Sequence, residues 1–286
     1  MPGVPPASTE SRSGRAQSTE VIRTRGVDAG VAWWSQAWRI FVRAPVSWIV
    51  LVVVFIAISY ALDFLLERWI VVNYAVSLLL GTVFVAAVLA VARSLHHVHP
   101  VTLGDVFAAF GNRFVPLIVL MTLVSVGFAL CVLIGAGIVQ LVFGSRVAQA
   151  WSWLVEAQQA TTVEQLMAMM GRFDPQAPLI VLLVLLFGAL LALPLLMAAW
   201  FAPALVLFHR DGPLTALKLS FIACLRNVAP FLAYGAVGLV LSIVATVPVL
   251  LGWIVLAPVM LITLYTSYDD VFAPTDAPAG KPGDKG

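Results

Sequence analysis

Long apolar runs, separated by short polar segments, dominate this chain of 286 residues. A helix needs roughly 20 apolar residues to cross a bilayer, because each residue adds about 1.5 Å across a core of roughly 30 Å. Runs of this length predict six spans: Trp48–Leu66, Val72–Ala92, Pro116–Phe143, Pro178–Phe208 and residues 229–247 and 251–268. The last two come from one apolar stretch that is too long for a single helix and that Pro248 and Gly252 divide. Pro194 predicts a kink in the fourth span, because proline lacks the backbone N–H.

A similar segment precedes the first, third and fifth spans. Each segment places apolar residues on one helical face and polar residues on the other, and a proline (Pro45, Pro116 or Pro230) follows it. The apolar faces are Trp34, Trp38 and Phe41; Leu103, Val106, Phe107, Phe110 and Phe114; and Leu214, Leu217, Phe221, Cys224 and Val228. We therefore predict an all-α, polytopic bundle of six transmembrane helices, arranged as three hairpins, each preceded by an amphipathic interfacial helix. This pattern indicates either a threefold repeat or the amphipathic pattern that is common to helices lying on a membrane.

Lysine and arginine in the loops predict the orientation, because they accumulate on the cytoplasmic side. Thirteen of the 16 precede the first span, follow the last, or lie in the second and fourth loops, whereas Arg68, Arg146 and Arg172 lie on the opposite side. Both termini are therefore expected to be cytoplasmic. Residues 1–28 and 273–286, rich in Pro, Ser and Gly, are expected to be disordered tails that flank a membrane domain of residues 29–272.

The external loop of residues 144–177 is too long for a simple turn. Its apolar residues predict one or two helices on the outer surface, the second beginning where Thr161 precedes Glu164 by three residues.

Amino-acid composition further limits the class of protein to which this chain can belong. Hydrophobic residues make up 62% of the chain and charged residues 10%, with a net charge of +2. This excludes a soluble enzyme, a disordered protein and a nucleic-acid binder. The two cysteines form no metal-ligand pattern, and the spans contain no Ser/His/Asp set and no paired carboxylates. We therefore expect no enzymatic activity, no catalytic residues, no metal and no cofactor.

Several polar groups nevertheless call for an interpretation. Asp63 is the acidic side chain within a predicted span, and we expect it to lie at the outer interface or to pair with Arg68, with ion or proton handling as the alternative. His96, His97, His99 and His209 share one depth, where a polar loop is favoured over a metal site. Met167, Met169 and Met170 are read as an apolar face in preference to copper ligands.

Small residues at intervals of four mark two helical faces. Gly127, Cys131 and Gly135 lie on the third span, and Gly238 and Ser242 lie on the fifth. Because small faces let helices approach closely in lipid, we predict that both are packing faces.

The chain resembles an uncharacterised family of bacterial six-helix inner-membrane proteins over residues 30–272, excluding the tails. The resemblance rests on Ala37-Trp38-Arg39-Ile40-Phe41, on residues 202–206 (APALV) and 223–227 (ACLRN), and on residues 265–272 (YTSYDDVF). More distantly, the chain is similar to the membrane domain fused to some glycerophosphodiester phosphodiesterases. The catalytic domain of those enzymes is absent, so the resemblance implies the topology and no hydrolytic activity.

The favoured function is a non-enzymatic protein of the bacterial inner membrane that organises, senses or assists, with lipids or a membrane protein as partner. Five basic residues are expected to face anionic headgroups: Arg39, Arg43, Arg113, Lys218 and Arg226. The alternative is a transporter or channel for a small or amphiphilic solute. In that case Pro194 and Pro258 mark moving helices, Asp63 and Asn73 guard the outer mouth, and Ser77, Thr82 and Ser125 line a polar cavity.

Overall fold

The computed structural model of the chain describes residues 22–96, 113–144, 161–170, 177–247 and 251–272, with scattered positions between 146 and 159. The helices are α1 Asp28–Phe41, α2 Pro45–Leu66, α3 Ile70–His96, α4 Phe114–Phe143, α5 Val163–Met170, α6 Ala177–Trp200, α7 Ala202–Ala204, α8 Pro213–Arg226, α9 Val228–Thr246 and α10 Trp253–Phe272. The amphipathic segment from Leu103 to Phe110 lies outside the described residues, as do residues 1–21 and the carboxyl tail.

Six helices within the described ranges are long and apolar enough to cross a membrane: α2, α3, α4, residues Val181–His209, α9 and α10. This confirms an all-helical membrane protein with six candidate spans. The division of the last apolar stretch is also confirmed, and a close approach explains why it occurs there. A Cβ on Gly252 would lie 2.7 Å from the carbonyl oxygen of Ala245, so the returning chain passes directly against the end of α9.

The fourth span changes its helical geometry after α6. Pro194 lies inside α6, and the kink expected there stays a prediction. After Phe201 the chain forms α7 and then a π-helical turn, Leu205–His209, which ends at Arg210 with a positive φ of 62°. The side chain of Ser220 stabilises the junction by accepting a hydrogen bond from the backbone N–H of Phe201 at 2.9 Å.

The chain divides into two compact units, which we call unit 1 (Met1–Met121 with Ala198–Gly286) and unit 2 (Thr122–Met197). In unit 1, α1 packs against both α9 and α10. Trp33, Ala37 and Ile40 of α1 are almost completely buried, with exposed fractions of 2% or less. The first amphipathic helix therefore places its apolar face against protein.

The faces of the two described amphipathic segments match the expected ones in part. In α1, Trp34 and Phe41 of the predicted apolar face are buried, as is Trp33, whereas Trp38 of that face is 50% exposed. In α8, the protein side consists of Ala216, Leu219, Ser220, Ala223 and Cys224, while Leu214 of the predicted face is 71% exposed. The sequence pattern located the helices and part of the side that meets protein, but it missed the small residues of α8 that pack as well as large ones.

Unit 2 contains the second part of α4, α5 and most of α6. The start of α5 is one residue later than predicted: Thr162 caps it by accepting a hydrogen bond from the Gln165 N–H at 3.3 Å. The Gln165 side chain in turn accepts hydrogen bonds from the Thr162 N–H at 3.4 Å and from the Thr161 N–H at 3.0 Å. The capping pair is thus Thr162 and Gln165 in place of Thr161 and Glu164, because a Gln at this position can close the same reciprocal pair.

Candidate lipid-binding groove

An open apolar groove of about 770 Å³ lies in unit 1 between α1, α9 and α10. We call it the α1 groove. Its lining comprises Val31, Trp34, Ser35, Trp38 and Arg39 of α1, Leu241, Val244 and Ala245 of α9, Gly252 before α10, and Val255, Leu256 and Val259 of α10. The contributions of α9 and α10 come from the halves nearest their connection. The volume falls within the range of about 300–1,000 Å³ that is usual for ligand sites.

Trp34 holds α1 against α9 and forms one wall of the groove. Its ring stacks on Tyr234 with centroids 5.0 Å apart, and its indole N–H donates to the Tyr234 carbonyl at 3.1 Å. A Cβ on Gly238 would lie 3.0 Å from the indole of Trp34. Gly238, which was predicted to lie on a packing face, therefore packs against Trp34 of α1.

The polar groups of the groove lie on α1. Arg39 and Ser35 are exposed and one turn apart, and Trp38 is half-exposed beside them. The Ser35 hydroxyl donates to the Ala32 carbonyl at 2.9 Å. The ion pairs within the described ranges join Arg25 to Asp270 and His96 to Asp269, so none involves Arg39.

Residues 22–27 hold the start of α1 in place, although they fall within the segment expected to be disordered. The guanidinium of Arg25 forms an ion pair with the Asp270 carboxylate at 2.8 Å and donates a hydrogen bond to the Asp270 backbone carbonyl. Asp270 also accepts the indole N–H of Trp33 at 2.9 Å. The buried Asn227 side chain accepts from the Arg25 N–H and donates to the Arg23 carbonyl. Sequence reasoning missed this network, whose only local signal is an Asp and an Asn at helix ends.

A second polar cluster lies where α3, the π-helical turn and α10 meet. Arg93 lies over the Phe208 ring at 4.6 Å, and His96 approaches Asp269 at 3.7 Å. Burial raises the pKa of Asp211 above its ordinary value, although His209 and Arg113 oppose the shift. No group of three or more His, Cys, Asp or Glu in the described ranges is arranged to hold a metal ion. His97 and His99 lie outside those ranges.

Among the five basic residues expected at headgroups, Arg43 and Arg113 donate to backbone carbonyls. Arg43 donates to the Leu95 and His96 carbonyls at the end of α3, and Arg113 donates to the Arg210 carbonyl at 3.2 Å. Arg39, Lys218 and Arg226 are exposed. Arg39 is the member of the set that lines the α1 groove.

Asp63 is exposed and lies in the last turn of α2. It accepts a hydrogen bond from the Asn73 side chain at 3.1 Å, and Ser77 donates to Asn73 at 3.3 Å. Within the described ranges no ion pair joins Asp63 to Arg68, so the expected partner is replaced by Asn73. Thr82 is buried and donates to the Leu78 carbonyl of its own helix.

The small face of α4 packs inside unit 2. A Cβ on Gly127 would lie 3.0 Å from a methyl group of Leu195, and the Cys131 thiol is 3.9 Å from the Leu191 carbonyl. Met167 is 64% exposed, and the side chains of Met169 and Met170 lie outside the described residues. In unit 1, burial raises the pKa of the Cys224 thiol to about 12, which makes it a poor nucleophile.

Comparison with known proteins yields no match to a family model, a curated protein or a solved structure.

Proposed function

We propose that this chain is a non-enzymatic membrane protein that binds a membrane lipid, with an acyl chain in the α1 groove. The observation that carries this proposal is the groove itself, which has a largely apolar lining and a single arginine. Protein interiors are close-packed, so a space of this size on an intramembrane surface is filled by lipid.

Apolar character alone does not hold one lipid in preference to another. A lipid tail is as apolar as a leucine side chain, so moving it from the bilayer into the groove brings little hydrophobic gain. The shape of the groove and the polar groups of α1 therefore determine which lipid stays bound. A role in organising or sensing lipid follows more readily from such a site than catalysis, which requires titratable groups at the reacting atoms.

The proposal includes the orientation. The Lys and Arg distribution supports cytoplasmic termini in a bacterial inner membrane, with three hairpins that each follow an amphipathic helix. In this orientation α1 lies at the cytoplasmic interface, and the connection between α9 and α10 lies on the outer side. The groove then extends from the cytoplasmic interface into the hydrocarbon core.

The test is to count the phospholipids that the purified protein retains in mild detergent, by native mass spectrometry. Val244→Trp fills the groove, whereas Val240→Trp places the same ring on the same helix at a residue that does not line it. We expect the wild type and the Val240 variant to retain a phospholipid and the Val244 variant to lose it. If the wild type and both variants unfolded at similar temperatures and retained equal amounts of phospholipid, the proposal would be contradicted.

Transport of a small or amphiphilic solute is the second candidate. The hydrogen-bonded series Asp63–Asn73–Ser77 favours it, because polar groups beside a membrane span mark solute pathways. In liposomes this function gives saturable flux that Asp63→Ala abolishes. Lipid retention without flux would exclude it.

A further inference from the structure

We infer that the α1 groove selects an anionic phospholipid, whose phosphate binds Arg39 and whose acyl chain lies along α9 and α10. This inference rests on the proposed function and names the class of lipid.

The described arginines near α1 have different surroundings. Arg25 is paired with Asp270, Arg43 donates to carbonyls at the end of α3, and Arg93 lies over the Phe208 ring. Arg39, in contrast, lines the groove, is exposed and has no ion pair within the described ranges. The groove therefore carries a positive charge that the described protein does not neutralise, and an anionic ligand complements it.

Arginine suits a phosphate because its planar guanidinium donates two parallel hydrogen bonds to two phosphate oxygens. Trp38, the residue before Arg39, is half-exposed. Because tryptophan is enriched at the level of lipid headgroups, its position agrees with a contact between Arg39 and a phosphate at that level.

The apolar part of the groove begins at this charged end. Val255, Leu256 and Val259 of α10 face Leu241 and Val244 of α9 across it. A phosphate at Arg39 leaves the attached acyl chain beside this apolar surface. A free phosphate ion would leave that surface unused, so the whole lipid is the ligand that fits.

The experiment incubates the full-length protein with vesicles of equal phosphatidylglycerol and phosphatidylcholine, repurifies it, and measures the retained ratio by mass spectrometry. Arg39→Gln is expected to lower the preference for phosphatidylglycerol about fivefold, the equivalent of about 1 kcal/mol per basic residue at an anionic surface. Arg39→Lys should retain part of the preference, because the charge remains without the bidentate geometry.

Lys218→Gln is the matched control, since Lys218 is an exposed cation on α8 that does not line the groove. We expect it to keep the wild-type ratio. An unchanged ratio in the Arg39 variant, or an equal loss in the Lys218 variant, would overturn this inference. Lipid retained at a 1:1 ratio by the wild type would overturn it too, while the proposed function would stand. Failure of Val244→Trp to release lipid would instead refute the proposed function.

Discussion

Gly30 permits the close contact between α1 and α9. A Cβ at this position would clash with the Pro230 carbonyl and lie 2.7 Å from the Tyr234 nitrogen, and both of these belong to backbone that cannot rotate away. Overpacking of this kind costs about 1–3 kcal/mol. The sequence offered no sign of this role, because Gly30 stands alone at the start of α1.

We therefore expect Gly30→Ala to lower the stability of the purified protein by about 1–3 kcal/mol, measured by denaturant unfolding in detergent. Gly235→Ala is the control, since its Cβ would meet nothing within 4 Å. An alanine there should be neutral or stabilising, because alanine is the better helix former. Equal effects of the two substitutions would show that α1 does not pack on α9 as described.

The raised pKa of Asp211 predicts a pH dependence of stability. Burial disfavours the ionised carboxylate, so the folded state binds a proton more tightly than the unfolded state does. The contribution of this group to stability is therefore greatest below the ordinary aspartate pKa of about 3.9 and declines as pH rises through the raised value. Asp211→Asn should remove this decline in unfolding measurements across that window. A variant with the same pH profile as the wild type would refute the assignment.

At the level of elements, the small face of α4 is the feature that sequence predicted most directly. Gly127 and Cys131 approach Leu195 and Leu191 of α6, as a face of small residues at intervals of four should do in lipid. The pattern identified the face because close packing of helices in a membrane requires small side chains. It did not identify α6 as the partner, because many helices present leucines.

Gly127→Ile should weaken the packing of α4 on α6, because its Cβ would already touch both methyl groups of Leu195. Gly137→Ile is the control on the same helix, since a Cβ there meets nothing within 4 Å. We expect a lower unfolding temperature and faster proteolysis of unit 2 in the first variant only. The packing assignment would be wrong if the Gly137 variant were the less stable one.

The faces of the amphipathic helices were predicted only in part: Trp34 and Phe41 are buried as expected, whereas Trp38 is exposed. An apolar face is equally satisfied by lipid and by protein, so periodicity could not show that Trp33 and Ile40 of α1 are buried within unit 1. Nor could it indicate that Leu214 of α8 is exposed while Ala216 and Ser220 face the protein. For α1 the choice depends on α9 and α10, which follow it by about 200 residues in sequence, and for α8 it depends on α7, the π-helical turn and α9.

At the scale of the whole molecule, the predicted topology can be measured with reporter fusions. A reporter after Asp270 should be active in the cytoplasm, and one inserted between residues 147 and 172 should be active outside, because thirteen of 16 Lys and Arg lie on the cytoplasmic side of the proposed arrangement. An external signal from the carboxyl fusion would contradict six spans with cytoplasmic termini.

The candidate site was only partly predictable. Arg39 stood out as one of five basic residues beside a membrane helix, but nothing local separated it from Arg43, whose guanidinium is occupied by the carbonyls that end α3. The groove depends on the contact of α1 with α9 and α10, which lie about 200 residues later, and the network of Arg25, Asp270 and Asn227 closes over similarly long separations. Contacts of this kind leave no periodic pattern in the chain.

Apolar run length and the positions of proline and glycine were sufficient for the number of spans, since the thickness of a bilayer dictates the length of a spanning helix. Tertiary packing decided which face of each helix meets protein, which arginine remains available to a ligand, and where the α1 groove opens. The physical reason is that lipid and protein offer apolar side chains nearly the same environment. Shape complementarity and a few buried hydrogen bonds between distant segments therefore determine whether a helix face contacts lipid or protein.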